Sequence, residues 1–132
     1  MNGSHVATRT EEGTPTAQGA KLDYVAVKSA AMTLRAINHK LRQQIIRLLD
    51  EHQRMNVTDI YVKLRLEQSV ASQHLAILRR ANIVATQRDG KFIHYSLNHA
   101  RIQAISGFVS DLVNSEESTN SRNSRNDDSV NN

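Results

Sequence analysis

Two short runs of apolar residues repeat at helical spacing on either side of Arg65-Leu66-Glu67. Ile60 and Leu64 mark the apolar side of the first. Ala71, Leu75 and Leu78 mark that of the second, at intervals of four and three. The spacing predicts a helix-turn-helix between Val57 and Arg80. If the second helix seats Ala71, Leu75 and Leu78 on a core, Gln68, Ser69, Ser72, Gln73, Ala76 and Arg79 point outward. These are mostly short polar side chains near the helix N-terminus, a face that fits a DNA major groove.

Upstream, Leu22, Val25, Ala26, Ala30, Met32, Thr33, Ala36 and Ile37 recur at helical spacing without Pro or Gly and predict a first helix from Lys21 to Ile37. A second is expected from about Lys40 to Glu51. Leu41, Ile45, Leu48 and Leu49 form its apolar stripe, Arg42, Gln43, Arg47 and Asp50 face away, and Asn38 supplies the cap or break between the two helices. Thr58 sits where an N-cap belongs, ahead of Asp59, whose charge suits the positive end of the helix dipole. Glu67 or Gln68 opens the next helix, which runs to about Arg80 or Ala81. Asn82 stands just past its end, where Gly or Asn takes a left-handed conformation.

From Ile83 the period changes to two. Asp89-Gly90 predicts a type I′ hairpin that pairs Arg88 with Lys91, Gln87 with Phe92, Thr86 with Ile93, Ala85 with His94 and Val84 with Tyr95. Val84, Thr86, Ile93 and Tyr95 then share the core face, and the tip offers Arg88 and Lys91 to solvent or a phosphate backbone.

Beyond Leu97, Asn98 caps a last helix with Ile102, Ile105, Val109 and Leu112 at spacings of three, four and three. Such a seam serves either its own core or a dimer surface, with the first helix, through Leu22 and Val25, as its natural partner. Residues 1–20 and 114–132 are rich in Ser, Thr, Asn and charge and poor in large apolar residues, so both are expected to be disordered. That leaves one small domain over 21–113, mainly α with a β-hairpin wing. A core of that size favours oligomerisation.

Composition narrows the partner. The net charge of +4 understates a basic middle, where Arg35, Lys40, Arg42, Arg47, Arg54, Lys63, Arg65, Arg79, Arg80, Arg88 and Lys91 outnumber the acids. A polyanion suits that balance, as does a merely solvated charged surface. There is no cysteine, which excludes disulfides and thiolate metal sites. No apolar run reaches membrane-spanning length and no signal-peptide core is present, so a cytoplasmic protein without membrane association is expected. Paired carboxylates, a nucleophile elbow and a Gly-rich phosphate loop are all missing, which argues against an enzyme. No two histidines show the i, i+4 spacing of a helical zinc site. His94 and His99 could join a metal site only with carboxylates of another subunit.

The order of elements, together with Ser72-Gln73-His74-Leu75, Leu78, Arg79-Arg80-Ala81-Asn82-Ile83-Val84, Asp89-Gly90-Lys91 and Tyr95-Ser96-Leu97, resembles the ArsR/SmtB family of dimeric winged-helix repressors over nearly all of the domain. Asn82 stands where that family usually has Gly. The resemblance implies a repressor released from its operator by an effector, often a metal ion. The family's metal sets are not reproduced. Val57 to Tyr61 holds no cysteine, and the ligand positions on the last helix, counted from His99 and Arg101, fall at Leu112 and Ser115.

These observations lead to a homodimeric repressor of double-stranded DNA with no cofactor, no metal and an unassigned effector. Gln68, Ser69, Ser72 and Gln73 are expected at base edges, and Lys63, Arg65, His74, Arg79, Arg88 and Lys91 at the DNA backbone. His74 is read mainly as a structural or backbone-contacting residue. The competing expectation is a winged-helix protein-interaction module that reads no DNA sequence.

Overall fold

A computed structural model of the chain describes residues 21–130. The segment 1–20, expected to be disordered, lies outside them. The elements are α1 (Tyr24–Ile37), α2 (Lys40–His52), β1 (Met55–Asn56), α3 (Val57–Lys63), α4 (Gln68–Arg80), β2 (Val84–Asp89), β3 (Phe92–Leu97) and α5 (His99–Val130). The chain divides into two compact units, Met1–Met32 and Thr33–Asn132.

The described part of the first unit is the beginning of α1. Asp23 caps it, its Oδ1 accepting from the backbone N–H of Val25 at 3.1 Å and of Ala26 at 3.2 Å. The helix therefore starts at Tyr24, not at Lys21 as its apolar spacing suggested. Leu22, Tyr24, Val25, Val27 and Met32 are all exposed.

The second unit is built on one core. Ile45, Leu48 and Leu49 of α2, Ile60 of α3, Leu75 and Leu78 of α4, Ile83, Val84 and Leu97 at the root of the hairpin, and Ala36 and Met55 form a single buried cluster. Each fully buried branched side chain contributes roughly 1.5 to 3 kcal/mol relative to exposure. The expected polar side of α2 needs correction. Arg42 and Gln43 do not face away: the Arg42 guanidinium donates to the Ala36 carbonyl at 2.6 Å and the Arg35 carbonyl at 3.1 Å, and Gln43 Nε2 to the Ile37 carbonyl at 3.1 Å. The last carbonyls of α1 have no partners within their own helix, and these two side chains satisfy them.

Two caps also differ from expectation. The cap of α2 is His39, not Asn38. Its backbone is extended and its Nδ1 accepts from the Leu41 N–H at 3.1 Å. The cap of α3 is Asn56, not Thr58, with Oδ1 accepting from the Asp59 N–H at 2.8 Å. Asn56 also belongs to β1, which pairs antiparallel with β3 through Met55 opposite Tyr95 and Asn56 opposite His94. A two-residue strand has no period of its own, so only its partner reveals it. It completes a three-stranded sheet in the order β1-β3-β2.

The hairpin is present, but its turn is shifted. Asp89 pairs with Phe92, Arg88 with Ile93, Thr86 with Tyr95 and Val84 with Leu97, so the two loop residues are Gly90 and Lys91. Gly90 has φ +63° and Lys91 has no positive φ, the pattern of a type II′ turn with Gly first. The I′ turn would have forced Asp89 to positive φ, and the observed register gives that conformation to the residue without a Cβ. Because the pairing moves by two residues, the same residues keep the same face. Val84 and Leu97 are buried at its root, Thr86 and Tyr95 are half-buried, and Ile93 is exposed. Ile93 is therefore not a core residue, since the hairpin outgrows the core before reaching it.

The Asn98 cap of α5 is present, Oδ1 accepting from the Arg101 N–H at 3.2 Å. The helix then continues to Val130, through most of the 114–132 segment that composition marks as disordered. Every residue from Gln103 to Ser121 except Ile105 is exposed. Backbone hydrogen bonding and local links such as Thr119 Oγ1 to the Ser115 carbonyl, 3.1 Å, sustain this stretch in place of core packing, and no Pro or Gly beyond Gly107 interrupts it.

Candidate nucleic-acid interface

The turn between α3 and α4 is tight because the chain closes it with its own backbone. Leu66 N–H donates to the Tyr61 carbonyl at 2.9 Å and Arg65 N–H to the Val62 carbonyl at 3.2 Å, with Arg65 at φ +56°. A non-glycine residue in this region costs about 1 kcal/mol. Burial of Ile60 below the turn and of Ala71, Leu75 and Leu78 beyond it, all at 0 % exposure, offsets that strain and sets the rotation of α4 about its axis.

With that rotation set, Gln68, Ser69, Ser72 and Gln73 are exposed on the opposite side, followed by Arg79 and Arg80 a turn and more further on. Glu67 occupies the N-cap position but makes no side-chain capping bond, and the first turn holds no acidic residue. The positive end of the helix dipole is thus left directed outward beside the Gln68-Ser69 pair. Ser72, Ala76, Arg79, Arg80 and Tyr95 line one crevice between α4 and the hairpin. Arg80 and Tyr95 were absent from the residues expected to contact DNA. Arg80 follows Arg79 directly, so the paired arginines were a usable signal. The alternating pattern puts Tyr95 on the core face, and only the packing of β3 beside α4 shows that it also lines this crevice.

The remaining expected backbone contacts are distributed differently. Arg65 is exposed at the turn. Lys63 lines a separate recess with His52, Arg54, Met55, Asp59 and Val62. His74 is half-buried and turned toward α2, apart from the exposed row. Arg42 donates to its Nδ1 at 3.2 Å, and its ring centroid lies 4.8 Å from that of His39. Burial lowers the His74 pKa below the usual histidine value, and His39 and Arg42 push it the same way.

On the hairpin, Arg88 and Lys91 are exposed. Arg88 Nε donates to the Gly90 carbonyl at 3.3 Å, and Lys91 Nζ lies 5.7 Å from the centroid of the Phe92 ring. Asp89 lies 3.8 Å from Arg54 and 4.0 Å from His94, exposed contacts that orient more than they stabilise. Among the described residues no group of three His, Asp or Glu side chains comes together as a metal site, and no helix is long and apolar enough to cross a membrane.

The expected seam residues fall into two sets. Ile102 and Ile105 pack, half-buried, against the core of their own unit, whereas Phe108, Val109, Leu112 and Val113 are exposed. Leu22 and Val25 are exposed in the first unit.

A helix-turn-helix with an outward polar second helix, followed by a basic antiparallel hairpin, defines a winged-helix regulatory protein. Residues 39–86 match the profile of bacterial regulatory proteins of the arsR family. The transcriptional repressor PagR of Bacillus anthracis is 34% identical over 85 residues, 64% of this chain and 85% of that protein. Its crystal structure superposes with a TM-score of 0.54, covering 68% of this chain and 99% of that one. The transcriptional activator HlyU of Vibrio cholerae is 33% identical over 76 residues, 58% of this chain and 69% of that protein. The crystal structure of NolR from Sinorhizobium fredii, 32% identical, gives a TM-score of 0.59 over 71% of this chain and 96% of that one. The chain belongs to the ArsR family.

Proposed function

We propose that this chain is a homodimeric, sequence-specific DNA-binding repressor that places one α4 from each protomer in successive major grooves, roughly 34 Å apart, of an inverted-repeat operator. The observation that carries this reading is the division of α4. Ala71, Leu75 and Leu78 have no exposure, while Gln68, Ser69, Ser72 and Gln73 are free on the opposite side. Gln pairs bidentately with adenine, and Ser serves either base type. Arg65, Arg79, Arg88 and Lys91 are assigned to phosphates, with Arg80 added from the crevice beside Tyr95.

A second copy would cover the exposed apolar residues of α5 and, in its own unit, those of α1. Domain 21–113 then carries both DNA reading and dimerisation. Two relatives are named for opposite signs of regulation, PagR as a repressor and HlyU as an activator. Repression is chosen because an operator-bound dimer blocks transcription without needing any further contact.

Footprinting on the DNA upstream of the chain's own coding region tests the proposal. A protected inverted repeat with two half-sites about one helical turn apart is the expected result. Binding that vanishes at modest salt and never prefers a sequence would instead favour a winged-helix protein-interaction module.

A further inference from the structure

One half-buried polar cluster is not explained by the outward face of α4. Arg42 reaches from α2 to three places: the Ala36 carbonyl at 2.6 Å, the Arg35 carbonyl at 3.1 Å and Nδ1 of His74 at 3.2 Å. Its hydrogen bonds thus join the end of α1 to α4. A guanidinium only donates, so Nδ1 of His74 must carry a lone pair and the proton of the neutral ring must sit on Nε2. His39, whose ring stacks at a tilt on that of His74, uses its own Nδ1 in the same way, as acceptor for the Leu41 N–H that opens α2. The cluster thus contains two imidazoles held as acceptors and one permanent cation.

We propose that Arg42 is a positioning residue for α4, that it sets the helix against the end of α1 through His74, and that this link exists only while the His74 ring is neutral. An imidazolium has no acceptor, so a proton on Nδ1 removes the bond and places a second positive charge beside the guanidinium. The charged and titratable groups acting on the ring from the elements packed around it are His39 and Arg42, and both oppose its protonation. One turn away on α4 itself lie Val70, Ala71, Ile77 and Leu78, which carry no charge. Ser72 and Gln73 immediately precede His74 on the helix, so a change in the seat of His74 is a change in the placement of the base-reading row. The functional part of the proposal rests on the DNA-binding reading above. The link itself does not.

Two measurements separate these levels. Nitrogen-15 NMR on the full chain without DNA at pH 7.5 should show His74 protonated on Nε2 with Nδ1 accepting. As the ring titrates, the amides of residues 35–37 and of α4 around His74 should shift with the same midpoint. An Nδ1-protonated ring, or a titration that leaves residues 35–37 unmoved, overturns the link whatever happens with DNA.

Binding is then compared on a duplex from upstream of the coding region and on sheared genomic duplex. The wild-type chain should lose up to about tenfold of its preference for the first as pH is lowered from 7.5 through the His74 midpoint found by NMR, roughly the net contribution of one hydrogen bond. His74→Gln, which cannot gain a charge, should show a flat profile. Arg42→Lys keeps the charge but not the fork. It should lose a similar factor of about ten at pH 7.5 with an unchanged salt slope, because no phosphate contact is removed. Wild-type preference in Arg42→Lys, or a wild-type pH profile in His74→Gln, overturns the positioning role. A wild-type chain that prefers neither duplex removes the DNA reading, while the NMR result still decides the link.

Discussion

Asn98 Nδ2 donates to the Asn82 carbonyl at 3.2 Å, and the Asn98 N–H donates to the Ile83 carbonyl at 2.9 Å. The residue just past the end of α4, at φ +62°, is thereby tied to the residue that caps α5. The β-hairpin leaves and returns between these two points, so their link clamps its base. Asn98→Ala removes the cap and the side-chain half of the clamp, keeps the backbone bond to Ile83, and should lower stability by about 1 to 2 kcal/mol in urea denaturation. Asn82→Gly should be nearly neutral or slightly stabilising, because the left-handed backbone is then unstrained, whereas Asn82→Ala should cost about 1 kcal/mol.

Leu75 is fully buried in the core and its neighbour Gln73 is exposed. Leu75→Ala should cost about 2 to 5 kcal/mol in thermal or urea unfolding, with DNA binding lost through unfolding. Gln73→Ala should leave stability within about 0.5 kcal/mol and relax base preference at one operator position. Equal stability losses in the two variants would overturn the assigned rotation of α4.

Arg88 and Lys91 lie on the exposed hairpin, two charges per protomer. If each meets a phosphate in a dimer, changing both to Ala should reduce the slope of log K against log salt by about four counterions, on any sequence. A salt titration with an unchanged slope would remove the hairpin from the interface.

His74 gives stability a pH dependence of known sign. Its folded pKa lies below the ordinary value of 6.5, with burial the largest cause, followed by His39 and Arg42. As pH falls through the unfolded value, the unfolded chain takes up the proton first, so acid favours unfolding. The contribution is complete above that value and is lost progressively below it. Urea denaturation at pH 7.5 and pH 5.5 should therefore show a larger acid loss for the wild-type chain than for His74→Gln.

Val109 and Leu112 are exposed apolar residues on α5. In the proposed dimer, Val109→Glu with Leu112→Glu should yield a monomer in sedimentation equilibrium without lowering the unfolding midpoint of the isolated fold. Operator affinity should fall far more than binding to non-specific duplex.

Much of the fold was legible along the chain. The buried stripe of α4, the left-handed Asn82, the Asn98 cap and the existence of the hairpin all follow from local spacing and turn chemistry, which act within a few residues. Local chemistry misled where two neighbouring solutions were near in energy. Asp89-Gly90 is the better dipeptide for a hairpin loop, but the observed turn keeps Asp89 off positive φ and brings Leu97 opposite Val84 in the core. Asn38 is a better cap by residue type than His39, but Arg42 and Gln43 already occupy the end of α1, and His39 is the residue whose extended backbone lets it reach Leu41.

The sequence by itself determined that a polar helix would stand with one side on a core and the other free, because a period of three and four is a property of the chain alone. Tertiary structure decided what that helix is joined to. Arg42 and His74 are thirty-two positions apart, and no spacing rule connects them. β1 exists only because β3 passes beside it, and Tyr95 faces the crevice only because α4 packs there. Hydrogen bonds between distant residues depend on where the core brings their backbones, and that is settled by the summed packing of many side chains.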